Sequence, residues 1–325
     1  MSAATFTCPR CFFTAPAAKD LQFCPRCGLG EVQAIAAADG APIELIVGKR
    51  KFQVLERIAL GSIASIYRCR FEADRKPQEG IFKIARDART NDLIVNEAEI
   101  LRRLHAAGVD ERFAPFLPRV EESFRHGDEG RQANILSFHH EIGSIDELYT
   151  LEEVKAYHRS GLDSRDMAWI WRRLLNVLGF LHTSSLIHGA VLPMHVLIEP
   201  NEHKLLLIDF CCAVHDAQAR RKPLTIIASG YDKWYPPEIR GRQPPTAAID
   251  LSMAARSMID VTGGNAERAE FSPATESALA AYFRRCLNGV NVDAWKLLED
   301  FDRLIEALWG PRKFRPLKLP AKRGK

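Results

Sequence analysis

Two sets of residues in this sequence have the types and spacing to do chemistry. The first lies near the start, where "FTCPRCFFTAPAAKDLQFCPRCGLG" repeats a CPRC unit and places Cys8, Cys11, Cys24 and Cys27 in two close pairs. Each pair can present two thiolates from one tight turn, and the four together complete a tetrahedral S4 shell whose natural occupant is zinc. A closed four-thiolate shell is structural rather than catalytic. So short a segment has almost no core, so metal ligation must supply much of its folding energy, roughly 10–16 kcal/mol apparent in small fingers. A redox CxxC or paired disulfides are the competing readings of the same cysteines. Phe12, Phe13 and Phe23 offer either a stacking platform or, as expected in a module this small, its minimal core.

The second set is scattered along the chain. Lys83 projects from the apolar run "GIFKIA" (80–85), and Glu97 falls on the apolar stripe of a helix expected over 91–108, with Leu93, Ile100, Leu101 and Leu104. A carboxylate on a buried face wants a partner, and Lys83 on the preceding strand is the candidate. Asp209 leaves the end of the apolar run "KLLLIDF" (204–210), where it is a plausible ligand for a divalent cation. Just before it, "HGAVLPMHVLI" (188–198) holds two histidines, His188 and His195, but no carboxylate.

Positioning these residues takes a sizeable domain. "FQVLERIALGSIASIYRCRF" reads as two strands joined by a turn at Gly61-Ser62, and two more strands are expected at about 118–125 and 132–139. The second half turns helical, with a long helix at 163–184 carrying Met167, Ile170, Trp171, Leu174, Leu175, Leu178 and Leu181 on one side. "HVLIEPNEHKLLLID" (195–209) forms a hairpin within it, and "FHHEIG" (138–143) is a short connector where two lobes could hinge. A β-rich half before an α-rich half makes the fold class α+β. The division expected is a zinc ribbon at 1–30, an alanine-rich linker at 31–48, a two-lobed domain at 49–310 (lobes at about 49–138 and 142–310) and a basic tail at 311–325.

At 325 residues, 46% hydrophobic and 26% charged, the chain has a globular composition. It shows no signal-peptide pattern and no apolar run near the roughly 20 residues of a spanning helix, so the expectation is no membrane span and a cytoplasmic location. The tail after Glu306 carries seven basic and no acidic residues, and subtracting seven from the formal charge of +4 leaves the remainder at −3. A tail of this kind can touch nucleic acid, but a solvated, frayed terminus is the expectation. Cys69, Cys211, Cys212 and Cys286 sit among apolar neighbours as expected buried thiols.

Taken together, the order and spacing of these motifs over roughly 50–310 resemble the protein kinase superfamily, most nearly the bacterial serine/threonine type, and the first 30 residues resemble the zinc ribbons of many bacterial proteins. The resemblance implies a two-lobed fold with a β-rich N-lobe and an α-helical C-lobe. It places "ALGSIASIY" (59–67) as the glycine-rich loop, Lys83 as the phosphate-binding lysine, Glu97 as its ion-pair partner, Phe138 as gatekeeper and "DFC" (209–211) for Asp-Phe-Gly. "YPPE" (235–238) closes the activation segment, and Asp250 braces the catalytic loop. ATP with Mg2+ is the implied ligand, held by Gly61, Lys83, Glu97, Asp209 and, at the place of the metal-binding asparagine, His195.

The departures are concentrated where catalysis happens. The base aspartate is Ala190, the lysine two positions on is Leu192, the metal-binding asparagine is His195, and only Gly61 survives of three loop glycines. A positioned acid or base is typically worth on the order of 100- to 10,000-fold, and imidazole is a poor Mg2+ ligand. "CLNGVNVDAW" (286–295) also lacks the arginine that would pair with Glu238. The expectation is a pseudokinase that binds nucleotide and acts as a regulatory or scaffolding module toward a protein partner, with no confident catalytic residue. The alternatives are an atypical kinase or nucleotidyltransferase using His195, His215 or Asp216, and nucleic-acid binding through the ribbon and the basic tail.

Overall fold

The computed structural model describes residues 5–16, 23–27, 29, 42–106, 110–288 and 293–322. Most of the stretch read as a linker (31–41), part of the ribbon (1–4, 17–22, 28 and 30), the end of the helix expected to 108 (107–108), part of the 286–295 motif (289–292) and the end of the tail (323–325) lie outside the described residues. The backbone divides into two compact units, Met1–Val95 with Val120–Ser137 and Asn96–Arg119 with Phe138–Lys325.

In the first unit, β1 (Thr5–Thr7) and β2 (Thr14–Pro16) pair antiparallel on either side of Cys8 and Cys11. The remaining strands form one six-stranded sheet in the order β3-β4-β5-β6-β8-β7. These are β3 (Ile43–Val47), β4 (Arg50–Leu60), β5 (Ala64–Ala73), β6 (Lys76–Ala85), β7 (Arg119–His126) and β8 (Arg131–Ser137). Strand β3 falls inside the stretch read as linker. Alternating apolar residues build one face: Phe52 and Val54, Tyr67 and Cys69, Phe82 and Ile84, Ala133 and Ile135 share a buried cluster, as the period of two requires. At Gly80 a Cβ would sit 2.5 Å from the Leu136 carbonyl oxygen, so only glycine lets β6 approach β8 there. One member of this core comes from outside the sheet. It is Phe12, between the two cysteine pairs.

Helix α1 (Asn91–Leu104) spans the division at Val95/Asn96 and stops four residues before the expected 108, its last turn tightening as Ala106 N–H bonds the Arg103 carbonyl. Helix α2 (Leu151–Tyr157) follows the two-residue strand β9 (Tyr149–Thr150), and Thr150 and Glu153 form a capping box at its start. Helix α3 (Ser164–Thr183), capped by Asp163, buries the apolar stripe read from the sequence. Strands β11 (Val196–Glu199) and β12 (Lys204–Leu207) form the expected hairpin, with β9 on its other edge, while β10 (Leu186–Ile187) pairs β13 (Val214–His215). Helices α4 (Pro237–Arg240), α5 (Ala247–Val261), α6 (Ser277–Asn288) and α7 (Ala294–Trp309) complete the second unit. No helix among the described residues is long and apolar enough to cross a membrane.

The basic tail departs from the frayed terminus expected of it. Arg315 pairs with Asp166 at 2.8 Å and its carbonyl accepts from His203, Leu317 is buried, the Pro320 carbonyl accepts from the Tyr149 hydroxyl, and Lys322 pairs with Glu153 at 2.9 Å. Arg312 pairs with Asp302. The sequence shows the tail's charge but not these carboxylates, of which Glu153 and Asp166 lie in helices far away along the chain.

Candidate functional site

The four ribbon cysteines come together. Cys8 Sγ and Cys27 Sγ lie 3.6 Å apart, as do Cys11 Sγ and Cys24 Sγ, and all four sulfurs fall within 4.8 Å of one another. A tetrahedron built on Zn–S bonds of about 2.3 Å has edges near ~3.8 Å, so the cluster fits a metal such as zinc. The two CPRC turns are equivalent: the amides of Arg10 and Cys11 point at the Cys8 sulfur, and those of Arg26 and Cys27 at the Cys24 sulfur. Burial pushes the Cys8 thiol up to about 11 and Cys11 higher still. A bound cation would hold Cys8 and Cys11 as thiolates against that burial. The scattered cysteines are buried as expected, and burial raises Cys69 and Cys286 to about 12.

The three phenylalanines divide. Phe13 borders the ribbon's small core beside Phe6, Phe23 is exposed, and Phe12 leaves for the sheet. Its ring lies 4.7 Å from Phe82 and 5.5 Å from Tyr67, and its carbonyl accepts from the Tyr67 hydroxyl at 2.7 Å. Phe12 adopts a left-handed backbone (φ 52), a conformation costing a side-chain-bearing residue about 1–2 kcal/mol. Burying a phenylalanine ring is worth about 1.5–3 kcal/mol, which offsets that cost.

In the second unit the loop at 188–195 is held from several sides. The buried Asp250 carboxylate accepts from the backbone amides of His188 and Gly189, each at 2.8 Å, and from His182 Nε2 at 3.0 Å. His188 Nε2 donates to the Ile208 carbonyl at 3.1 Å while its Nδ1 accepts from Ala190 N–H at 3.2 Å. Both ring nitrogens are therefore used in a neutral tautomer, and burial holds its pKa down near about 4. The Tyr235 hydroxyl donates to the Gly189 carbonyl, and Gly189 has φ 76 with Leu224 2.6 Å from where a Cβ would stand. Ala190 itself is 1% exposed.

His195 and Asp209 meet in this loop's neighbourhood. His195 Nδ1 lies 2.8 Å from the Ala190 carbonyl, so it must carry the proton and donate, which turns Nε2 toward Asp209 Oδ2 at 3.3 Å. Asp209 sits in the left-handed region (φ 65), and its side chain accepts from Cys211 N–H. Glu97 is 1% exposed, and ligand atoms of Glu97, Asp209 and Cys211 lie within 4.8 Å of one another. Asn96, on which no sequence motif falls, donates to the carbonyls of Cys211 and Ala213 at 3.1 and 3.0 Å. His215 pairs with Asp216 at 2.9 Å, and His215 stands opposite Leu186 in its two-stranded ribbon. The Glu238 side chain is exposed and forms no ion pair among the described residues.

The other two residues singled out belong to the first unit. Lys83 is buried in β6, facing Ile66 of β5 and Asn134 of β8 in register. Gly61 starts the β4–β5 turn, its N–H bonding the Ala64 carbonyl and its own carbonyl accepting from Arg86 Nη1 at 3.1 Å.

No family model and no curated protein sequence matches this chain. Among solved structures, the BubR1 kinase domain superposes with a TM-score of 0.61 at 16% identity, over 82% of this chain and 84% of that one. The fold is kinase-like. A six-stranded sheet precedes a helical unit in the order the motifs required, and the kinase-like domain carries four clustered cysteines ahead of its sheet.

Proposed function

We propose that this chain is a nucleotide-binding pseudokinase, in which Gly61, Lys83, Glu97 and Asp209 capture ATP without efficient phosphoryl transfer and the domain serves as a regulatory or scaffolding module for a protein partner. The observation that carries the reading is the environment of Ala190. A methyl group stands at the place of the catalytic base, in a loop pinned by Asp250, His188 and Tyr235. A loop so fully bonded has little freedom to bring in another carboxylate.

The substitute bases are poorly placed for the task. His195 is fixed by its Nδ1 bond to the Ala190 carbonyl with Nε2 3.3 Å from the Asp209 carboxylate, and His215 is paired with Asp216. His195 beside Asp209 also favours a cation that accepts imidazole over Mg2+, which prefers oxygen. The nucleic-acid reading loses several of the cations it would use: Arg10 and Arg26 of the two CPRC turns bond Asp128 and Glu129, and Arg312, Arg315 and Lys322, three of the tail's seven basic residues, are paired.

Thermal stabilisation by ATP tests the reading, measured with Mg2+ and with Mn2+ and followed by a sensitive phosphotransfer assay. The expected outcome is a shift larger with Mn2+ than with Mg2+, lost in Lys83→Met and Asp209→Asn, and no turnover above those variants. Turnover in the parent that vanishes in both variants would overturn it.

A further inference from the structure

The ribbon's grip on the sheet converges on the two first-unit residues assigned to nucleotide. Arg26, inside the second CPRC turn, donates to the Arg86 carbonyl at 2.7 Å. Arg86 in turn donates through Nη1 to the Gly61 carbonyl at 3.1 Å and through its backbone N–H to the Ile63 carbonyl at 2.8 Å. Arg131, 2% exposed, bridges the same two parts: one guanidinium nitrogen donates to the Cys11 carbonyl and another to the Ala85 carbonyl at 3.0 Å. Phe12 packs on Phe82, the residue beside Lys83. His126 Nε2 donates to the Arg10 carbonyl at 2.9 Å, and its ring lies 5.2 Å from that of Phe12.

Every ribbon group in this set belongs to a CPRC turn or adjoins one. The ribbon's described core is small, Phe6 and the cysteines with Phe13 and Leu29 at its border, so beyond the β1–β2 pairing and each turn's own backbone bonds, the metal is what would fix the two turns against each other. We propose that the four-cysteine site is a metal-dependent clamp on the sheet: metal bound at Cys8, Cys11, Cys24 and Cys27 holds Phe12, the Cys11 carbonyl and Arg26 against β6 and the Gly61 turn. Metal occupancy thereby sets how well Lys83 and Gly61 are positioned for ligand. The ligand half of this inference rests on the nucleotide reading above; the clamp itself does not.

Hydrogen exchange on the full chain separates the two. Loaded with one zinc per chain and then stripped by a chelator that is afterwards removed, the protein is compared over peptides spanning 59–66, 80–87 and 164–183. Metal loss is expected to speed exchange in 59–66 and 80–87 by about tenfold or more and to leave 164–183 unchanged. Unchanged protection of 80–87 with a deprotected ribbon would overturn the clamp, as would equal deprotection of 164–183. Arg26→Ala keeps all four thiolates and is expected to bind zinc yet exchange faster at 59–66; parent-like exchange there would also overturn it. With Mg2+ restored, ATP affinity is expected to fall about threefold or more on zinc removal. An ATP effect equal with and without zinc overturns the linkage. No ATP effect even with zinc sinks the nucleotide reading alone, because the exchange comparison uses no nucleotide.

Discussion

At the scale of single residues, the loop around Ala190 is held by a buried carboxylate. Asp250 is the centre of that support, a fully buried carboxylate with three donors, two of them backbone amides with no other described acceptor. Leaving a buried donor unsatisfied costs about 1–3 kcal/mol. Asp250→Ala is therefore expected to destabilise the chain by about 2–5 kcal/mol, read as a lowered denaturant midpoint with unchanged slope. A loss below about 0.5 kcal/mol, the size of an ordinary surface substitution, would show that the loop is not held this way.

At the scale of elements, the sequence was informative wherever an element's signal is local. The strands over 50–85 declare themselves by alternation, the helix Ser164–Thr183 by its apolar stripe, and the metal turns by a repeated four-residue unit. What a sequence does not carry is where an element's outward groups land. Phe12 reads as ribbon core because its partners Tyr67 and Phe82 lie far along the chain, and Arg131 and His126 look like ordinary strand residues until they meet the ribbon. The tail is the same case, since positive charge without visible partners reads as solvated. Its anchoring has a testable division of labour. The ion pairs of Arg315 and Lys322 are partly exposed and worth about 0–1 kcal/mol each, whereas truncating a buried leucine costs about 2–5 kcal/mol. Leu317→Ala is thus expected to lower the denaturant midpoint more than Lys322→Ala and to open the tail to proteolysis. Equal effects, or tail release by salt alone, would place the anchoring in the charges instead.

At the scale of the whole molecule, partly or fully buried imidazoles make the fold acid-sensitive, His188 most of all. Burial is the largest cause lowering His105, His126, His139, His188, His203 and His215, which are spread over both units. In the unfolded chain such groups protonate near 6.5, whereas His188 in the fold does so only near about 4. Between those values the unfolded state holds more protons than the folded one, so stability rises with pH across the window and is lost on acidification. His188 alone is expected to contribute about 1.4 kcal/mol per pH unit there, fully present above about 6.5. Zinc thiolates also release metal in acid, so the comparison belongs in the metal-free chain, where only protein groups titrate. His188→Gln keeps a donor for the Ile208 carbonyl but cannot titrate. Its stability between pH 7 and pH 5 should fall with a slope shallower by about one proton than the parent's. Parallel slopes would mean that His188 protonates in the folded loop without cost, and the bonding scheme drawn for the loop would have to be redrawn with its ring charged.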